Sequence, residues 1–218
     1  MKEVRLPVHF IFRFTRLLRL VALVALAIPA WAQAPGDQAA TGVRDLPAIS
    51  PSVRATWVLH ATVGPTRLIA VPLQSGILTW ADSPREYGTH WGGFGQRVGS
   101  SLATAALGNT MEASIGSIWG EDPRYHRLGS GSASSRIKHA LITGFMAEKA
   151  SGELRPAYAR FIAVTSSHII SNSWREPSEV GPDETARRIG FAFVARMGGH
   201  VFAEFWPDIR RLLPGKKR

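Results

Sequence analysis

No cysteine occurs among the 218 residues. Disulfide frameworks, thiol catalysis, cysteine-ligated zinc and lipoprotein modification are excluded together. Catalytic patterns are missing too. There is no G-x-S-x-G elbow, since "GSIWG" places its serine one position too early. Ser135 and Lys138 form an S-x-x-K, but the K-T-G that accompanies it in penicillin-recognising enzymes is absent. The histidines make no H-E-x-x-H and no i, i+4 pair, and no Gly-Lys-Ser/Thr completes a P-loop. The expectation is therefore no metal, no cofactor and no catalytic residue.

Long uncharged runs are scarce as well. Beyond the N-terminal segment, the longest stretches without Asp, Glu, Lys or Arg include residues 98–111 and 161–174, each of 14 residues. A spanning helix needs about 20. Such stretches fit buried or interfacial helices. Strands of alternating hydrophobicity and aromatic girdles, which an outer-membrane barrel requires, are not evident either.

What is present begins with an export signal. Lys2, Arg5, Arg13, Arg16 and Arg19 precede an apolar run over residues 20–29, followed by "AWAQA". This reads as a signal peptide over 1–32, cut after Ala32, with a retained anchor as the alternative. Five of the 26 Lys and Arg and one of the 16 acids precede the cut, leaving a formal net charge of +6. Five of the remaining cations crowd the last nine residues, as Arg210, Arg211, Lys216, Lys217 and Arg218. Residues 214–218 are read as a basic tail suited to anionic lipid headgroups. With no basic stripe through the body, nucleic acid is not expected as a partner.

Residues 33–49 lack periodicity and read as a flexible leader. The domain proper is expected over 50–213, all-α, a compact bundle of about five to six helices. Ser50 and Pro51 supply an N-cap and a first helical position, and Gly64-Pro65 closes that helix. A second segment, 66–80, contains Pro72 and predicts a kinked helix or two short ones. The stretch 92–119 is rich in glycine and alanine. It predicts a helix of about 42 Å, broken near Gly108-Asn109. A further helix is expected over 134–149, another over 157–174, and a last one from Pro182 stopping at Pro207.

Small residues recur every fourth position as Gly95, Gly99 and Ala103, with a parallel row at Ser101, Ala105, Asn109, Ala113 and Ser117. A third row is Ala195, Gly199 and Ala203. Such rows let helices approach closely, and they are read as packing seams. The connector "GEDPRYHRLGSGSASSR" gathers Asp122, Arg124, Tyr125 and Arg127 into a candidate anion-binding or structural cluster. Glu121 and Asp122 are adjacent and do not form an acid/base pair. His168 and His200 lie in apolar segments and read as helix-packing histidines.

Taken together, "GFGQRVGSSLATAALGNTMEASIGSIWGEDPRYHRLGSG", "SNSW" and "EFWPDIRR" resemble an uncharacterised family of exported, Gly/Ala-rich bacterial proteins with an Asp-Pro-Arg-Tyr core and a Phe-Trp-Pro-Asp ending. The resemblance covers roughly residues 51–212 and implies a helical exported protein, but no activity. The family pattern has Phe where this chain has His126, which implies that His126 is an aromatic packing position.

The reading that follows is an exported cell-envelope protein, a non-enzymatic membrane-associated helical module in the periplasm or on the periplasmic face of a membrane. Its expected partners are an anionic membrane surface and a second copy or another envelope protein. The alternative is a periplasmic ligand-binding or hydrolytic domain built on Asp122, Arg124, Tyr125 and Arg127, joined by His168 or His200.

Overall fold

A computed structural model describes residues 49–149 and 152–212, all within one compact unit. The signal peptide, nearly all of the leader and the basic tail, including Lys216, Lys217 and Arg218, lie outside the described residues. The described residues form an all-α protein with six helices and one small sheet.

Helix α1, Pro51–Val63, starts where Ser50 accepts a hydrogen bond from the Val53 amide. Gly64 joins it to α2, Pro65–Trp80, and a side chain there would lie 2.2 Å from the His60 carbonyl oxygen. Pro72 does not divide α2. The carbonyl it leaves without a donor belongs to Leu68, an exposed residue.

Helix α3, Trp91–Trp119, is capped at its start by the His90 ring and ends on left-handed Gly120. It is continuous, so the break expected near Gly108-Asn109 does not occur. Tertiary packing holds that point: a Cβ on Gly108 would sit 3.0 Å from Ser167 Oγ, and Asn109 donates to Thr62 Oγ1. Glycine costs roughly 1 kcal/mol in a helix interior, and these contacts offset it.

Helix α4, Ala133–Ile142, is capped by Ser132 and is shorter than the helix expected over 134–149. Arg160 donates to the carbonyls of Thr143, Gly144 and Met146, fixing a non-helical path. The chain then enters β2, Met146–Lys149, which lies between β1, Glu121–Asp122, and β3, Leu154–Pro156. Both pairings are antiparallel, with Asp122 opposite Glu148 and Ala147 opposite Arg155.

Helix α5, Tyr158–Ser171, packs most extensively on α3. Helix α6, Pro182–Leu212, does not stop at Pro207. Arg136 spans that point, donating to the Glu204 carbonyl at 2.7 Å and pairing with Asp208 at 2.7 Å.

The seam between α3 and α5 is built from small residues, but not from the rows expected. Ala159, Ala163, Ser167 and Ser171 form a buried row on α5, and Gly108 and Gly116 meet it from α3. Gly116 faces Ala159 and Gly108 faces Ser167, so the helices run in opposite directions. Gly95, Gly99 and Ala103 are exposed, as are Ala195 and Gly199, while Ala203 is half-buried. Nothing lies within 4 Å of a Cβ built on Gly95, Gly99 or Gly199. These rows are therefore not seams within the described fold. The parallel row is partly used, since buried Asn109 and Ala113 face α1.

Several charged side chains are buried while many large apolar ones are exposed. Arg160, at 2% exposure, and Glu204, at 0%, are the largest fully buried side chains. The buried apolar residues are mostly alanines, whereas Trp80 is 87%, Trp91 85% and Ile118 77% exposed.

Candidate functional site

The connector after α3 is organised by ionic and hydrogen-bonded contacts at each step. Asp122 ends β1 and accepts from the Arg124 amide at 2.9 Å and from its guanidinium at 2.7 to 3.1 Å. Both carboxylate oxygens are thereby engaged. Next to this pair, His126 Nδ1 lies 3.1 Å from Glu148 Oε2 and Nε2 lies 3.7 Å from Asp122 Oδ2. His126 thus stands beside two carboxylates as well as at the aromatic position expected of it, and its Nδ1 and Glu148 Oε2 are close without hydrogen-bond geometry. Its Asp122 and Glu148 neighbours come from paired positions of β1 and β2, so the sheet register sets this arrangement.

Tyr125 points the other way, into α6. Its hydroxyl donates to Glu204 Oε2 at 2.6 Å, and its ring stacks on His200 at 4.4 Å. The same carboxylate accepts from the Leu128 amide at 3.0 Å, the Gly129 amide at 2.8 Å and Arg136 Nε at 2.8 Å. Burial pushes the Glu204 carboxyl up, but Tyr125, Arg136 and the two amides pull it down to about 2. For the Tyr125 phenol, burial and the bond to Glu204 raise the pKa well above its ordinary value. Burial holds His200 down to about 3, helped by the Arg196 and Arg160 charges. A neutral His200 then bonds Thr143 Oγ1 at 3.2 Å. His168, also held low chiefly by burial, bonds the Val164 carbonyl within its own helix.

Of the four residues expected to cluster, Asp122 and Arg124 form one pair and Tyr125 joins another centre. Arg127 is exposed, with its charge felt at Tyr125. None of the four lines either of two open concavities, one of about 350 Å³ along Pro72, Leu73, Gly76, Ile77 and Trp80 and one of about 330 Å³ between Tyr87, Gly99, Ala103 and Trp174. Among the described residues no group of three or more His, Asp or Glu is placed to hold a metal ion.

Two ionic centres were not anticipated from the sequence. Glu204 is one. The other is Glu112 in α3, which takes Arg160 Nε at 2.9 Å and Arg196 at 2.5 Å. Glu112 is the lone acid of its 29-residue helix and Arg97 the lone cation, and both are buried. A solitary charge inside a Gly/Ala-rich helix was the available signal, because only a partner makes such burial tolerable. Arg97 is neutralised by dipoles instead, donating to the carbonyls of Ser83, Pro84 and Gly88.

The fold and these centres define an all-α protein whose interior is held by buried charge pairs. The chain matches no protein-family model, no curated protein and no solved structure.

Proposed function

We propose that this is an exported, non-enzymatic module of the cell envelope that associates with a membrane surface. The observation that carries the reading is the number of large apolar side chains exposed on a fold whose interior holds paired charges. Charged residues are almost never fully buried in ordinary globular proteins, and large exposed apolar patches are uncommon. Here Arg97, Glu112, Arg160 and Glu204 are inside, while outward-facing Leu, Ile, Phe and Trp occur on every helix. In a lipid environment that arrangement is the expected one, with ionisable groups facing inward. Among the described residues no helix is long and apolar enough to cross a membrane, which favours an interfacial disposition. The N-terminal signal pattern supports export to the periplasm or the periplasmic face of a membrane, and the exposed Gly95–Gly99–Ala103 row leaves room for a second copy or an envelope partner.

A ligand-binding or hydrolytic reading draws less support. The Asp122 oxygens are taken by Arg124, and the Tyr125 hydroxyl is committed to Glu204. Flotation of residues 33–218 with anionic vesicles, at low and high salt, tests the proposal against a truncation lacking residues 214–218. The expected result is flotation at low salt that salt or truncation weakens. Failure of both forms to float would overturn it.

A further inference from the structure

The α1–α2 hairpin differs from the rest of the surface in charge. From residue 46 to residue 81 the chain contains no Asp or Glu, so the hairpin carries only the cations Arg54 and Arg67. Arg54 is turned inward onto the carbonyls of Ala113 and Glu121, whereas Arg67 is exposed. On α2, Ile69, Leu73, Ile77 and Trp80 recur at intervals of four, four and three, which places them on one side of a helix. All four are exposed, and the last three line the open concavity of about 350 Å³. The buried residues of the same helix are Val71 and Ser75.

We infer that this stripe of α2 is the surface that enters an anionic bilayer, lying in the boundary between headgroups and acyl chains with Trp80 at its rim. The inference rests on the membrane-associated reading above and names the face responsible. Charge selects the occupant. An apolar stripe on a cationic, acid-free hairpin complements anionic headgroups. A second copy docked on the same face would bring two hairpins together with no acid of either to pair with Arg67. Tryptophan at the end of the stripe suits the interfacial level, where an amphipathic ring meets both phases.

The absence of cysteine makes the test clean, because a single introduced thiol is the sole labelling site. Ile69→Cys, Leu73→Cys and, as a polar control in the hairpin after β2, Glu153→Cys are each labelled with an environment-sensitive fluorophore in the full chain. Exposed positions are chosen so that the label perturbs no core contact. On addition of phosphatidylglycerol-containing vesicles, the labels at 69 and 73 are expected to shift to the blue and brighten. The label at 153 is expected to stay unchanged, as are all three with phosphatidylcholine alone. Flotation with vesicles while labels 69 and 73 remain in a water-like environment overturns this inference and leaves the membrane-associated reading standing. A blue shift without vesicles that grows with protein concentration, together with a dimer's mass, assigns the face to a second copy and overturns it as well. Absence of flotation removes both.

Discussion

Tyr125 and Glu204, 79 residues apart in the chain, meet through a 2.6 Å hydrogen bond that ties the connector after α3 to the last helix. The carboxylate holds four donors from three points of the connector and α4, with no exposure to solvent. Removing one donor or the acceptor therefore has different consequences. Tyr125→Phe deletes a hydrogen bond to a charged group and should cost about 1.5–3 kcal/mol. Glu204→Gln removes the charged acceptor shared by all four donors, while Arg136 keeps Asp208, and should cost more than Tyr125→Phe, about 3 kcal/mol or above. Urea titrations of the two variants check the order; equal losses would show that the carboxylate charge contributes little.

The same region sets an acid limit. His200 titrates near 3 in the folded chain and at about 6.5 when unfolded. Below the unfolded value the unfolded state therefore binds more protons, and stability falls as pH drops from about 6.5 towards 3, at about 1.4 kcal/mol per pH unit. Glu204, held down to about 2, adds a second loss that begins only below its ordinary value near 4.5. His200→Gln should make the loss in the upper window shallower, with His168, whose pKa is also lowered by burial, still contributing there, and leave the lower one. Denaturation midpoints across this pH range give the answer.

How much of this was legible beforehand depends on what a local pattern can carry. Ser50-Pro51, Gly64-Pro65 and Pro182 mark helix starts through their own backbone chemistry, and each does so in the structure. The ends of α4 and α6 were misplaced because distant side chains decide them. Arg160 draws the chain out of helix after Ile142, and Arg136 carries α6 past Pro207. The Asp122–Arg124 pair is two residues apart and could be seen, whereas Glu204 and Glu112 depend on partners far along the chain.

Arg160 permits a sharper test of that long-range control. Its three carbonyl contacts and its pair with Glu112 need a planar fork of donors, which lysine does not have. Arg160→Met leaves Glu112 paired with Arg196 but strands buried carbonyls, at a cost of about 1–3 kcal/mol for each acceptor that finds no other donor, and Arg160→Lys should fail to rescue that loss. Thermal unfolding of the two variants reads this directly; full recovery with lysine would mean that charge alone is required.

His126 offers a test of the connector. Phenylalanine there keeps the ring but leaves Glu148 Oε2 without its 3.1 Å neighbour. His126 Nδ1 and Glu148 Oε2 lie close without hydrogen-bond geometry, so His126→Phe should cost no more than about 1 kcal/mol. A larger loss in the denaturation midpoint would show that the imidazole stabilises the fold as an ionic partner of the two carboxylates.

The basic tail yields a quantitative expectation for membrane binding. Each Lys or Arg near an anionic surface contributes about 1 kcal/mol, so deleting residues 214–218, with Lys216, Lys217 and Arg218, should weaken vesicle affinity by roughly a hundredfold at low salt. Vesicle titrations of both forms measure it, and a difference that persists at high salt would argue against an electrostatic tail.

The two kinds of glycine in α3 finally separate packing inside the fold from packing outside it. Gly108 faces Ser167 at contact distance, whereas a Cβ on Gly99 would meet nothing within 4 Å. In a monomer, Gly99→Ala should gain about 0.5–1 kcal/mol from helix propensity alone. Gly108→Leu should lose about 1–3 kcal/mol, because the larger side chain must displace α5. If the exposed row is instead a seam between copies, Gly99→Ala will raise monomer stability while lowering the associated fraction in sedimentation. An alanine that stabilises without changing the mass distribution would leave Gly95, Gly99 and Ala103 as surface residues with no packing role.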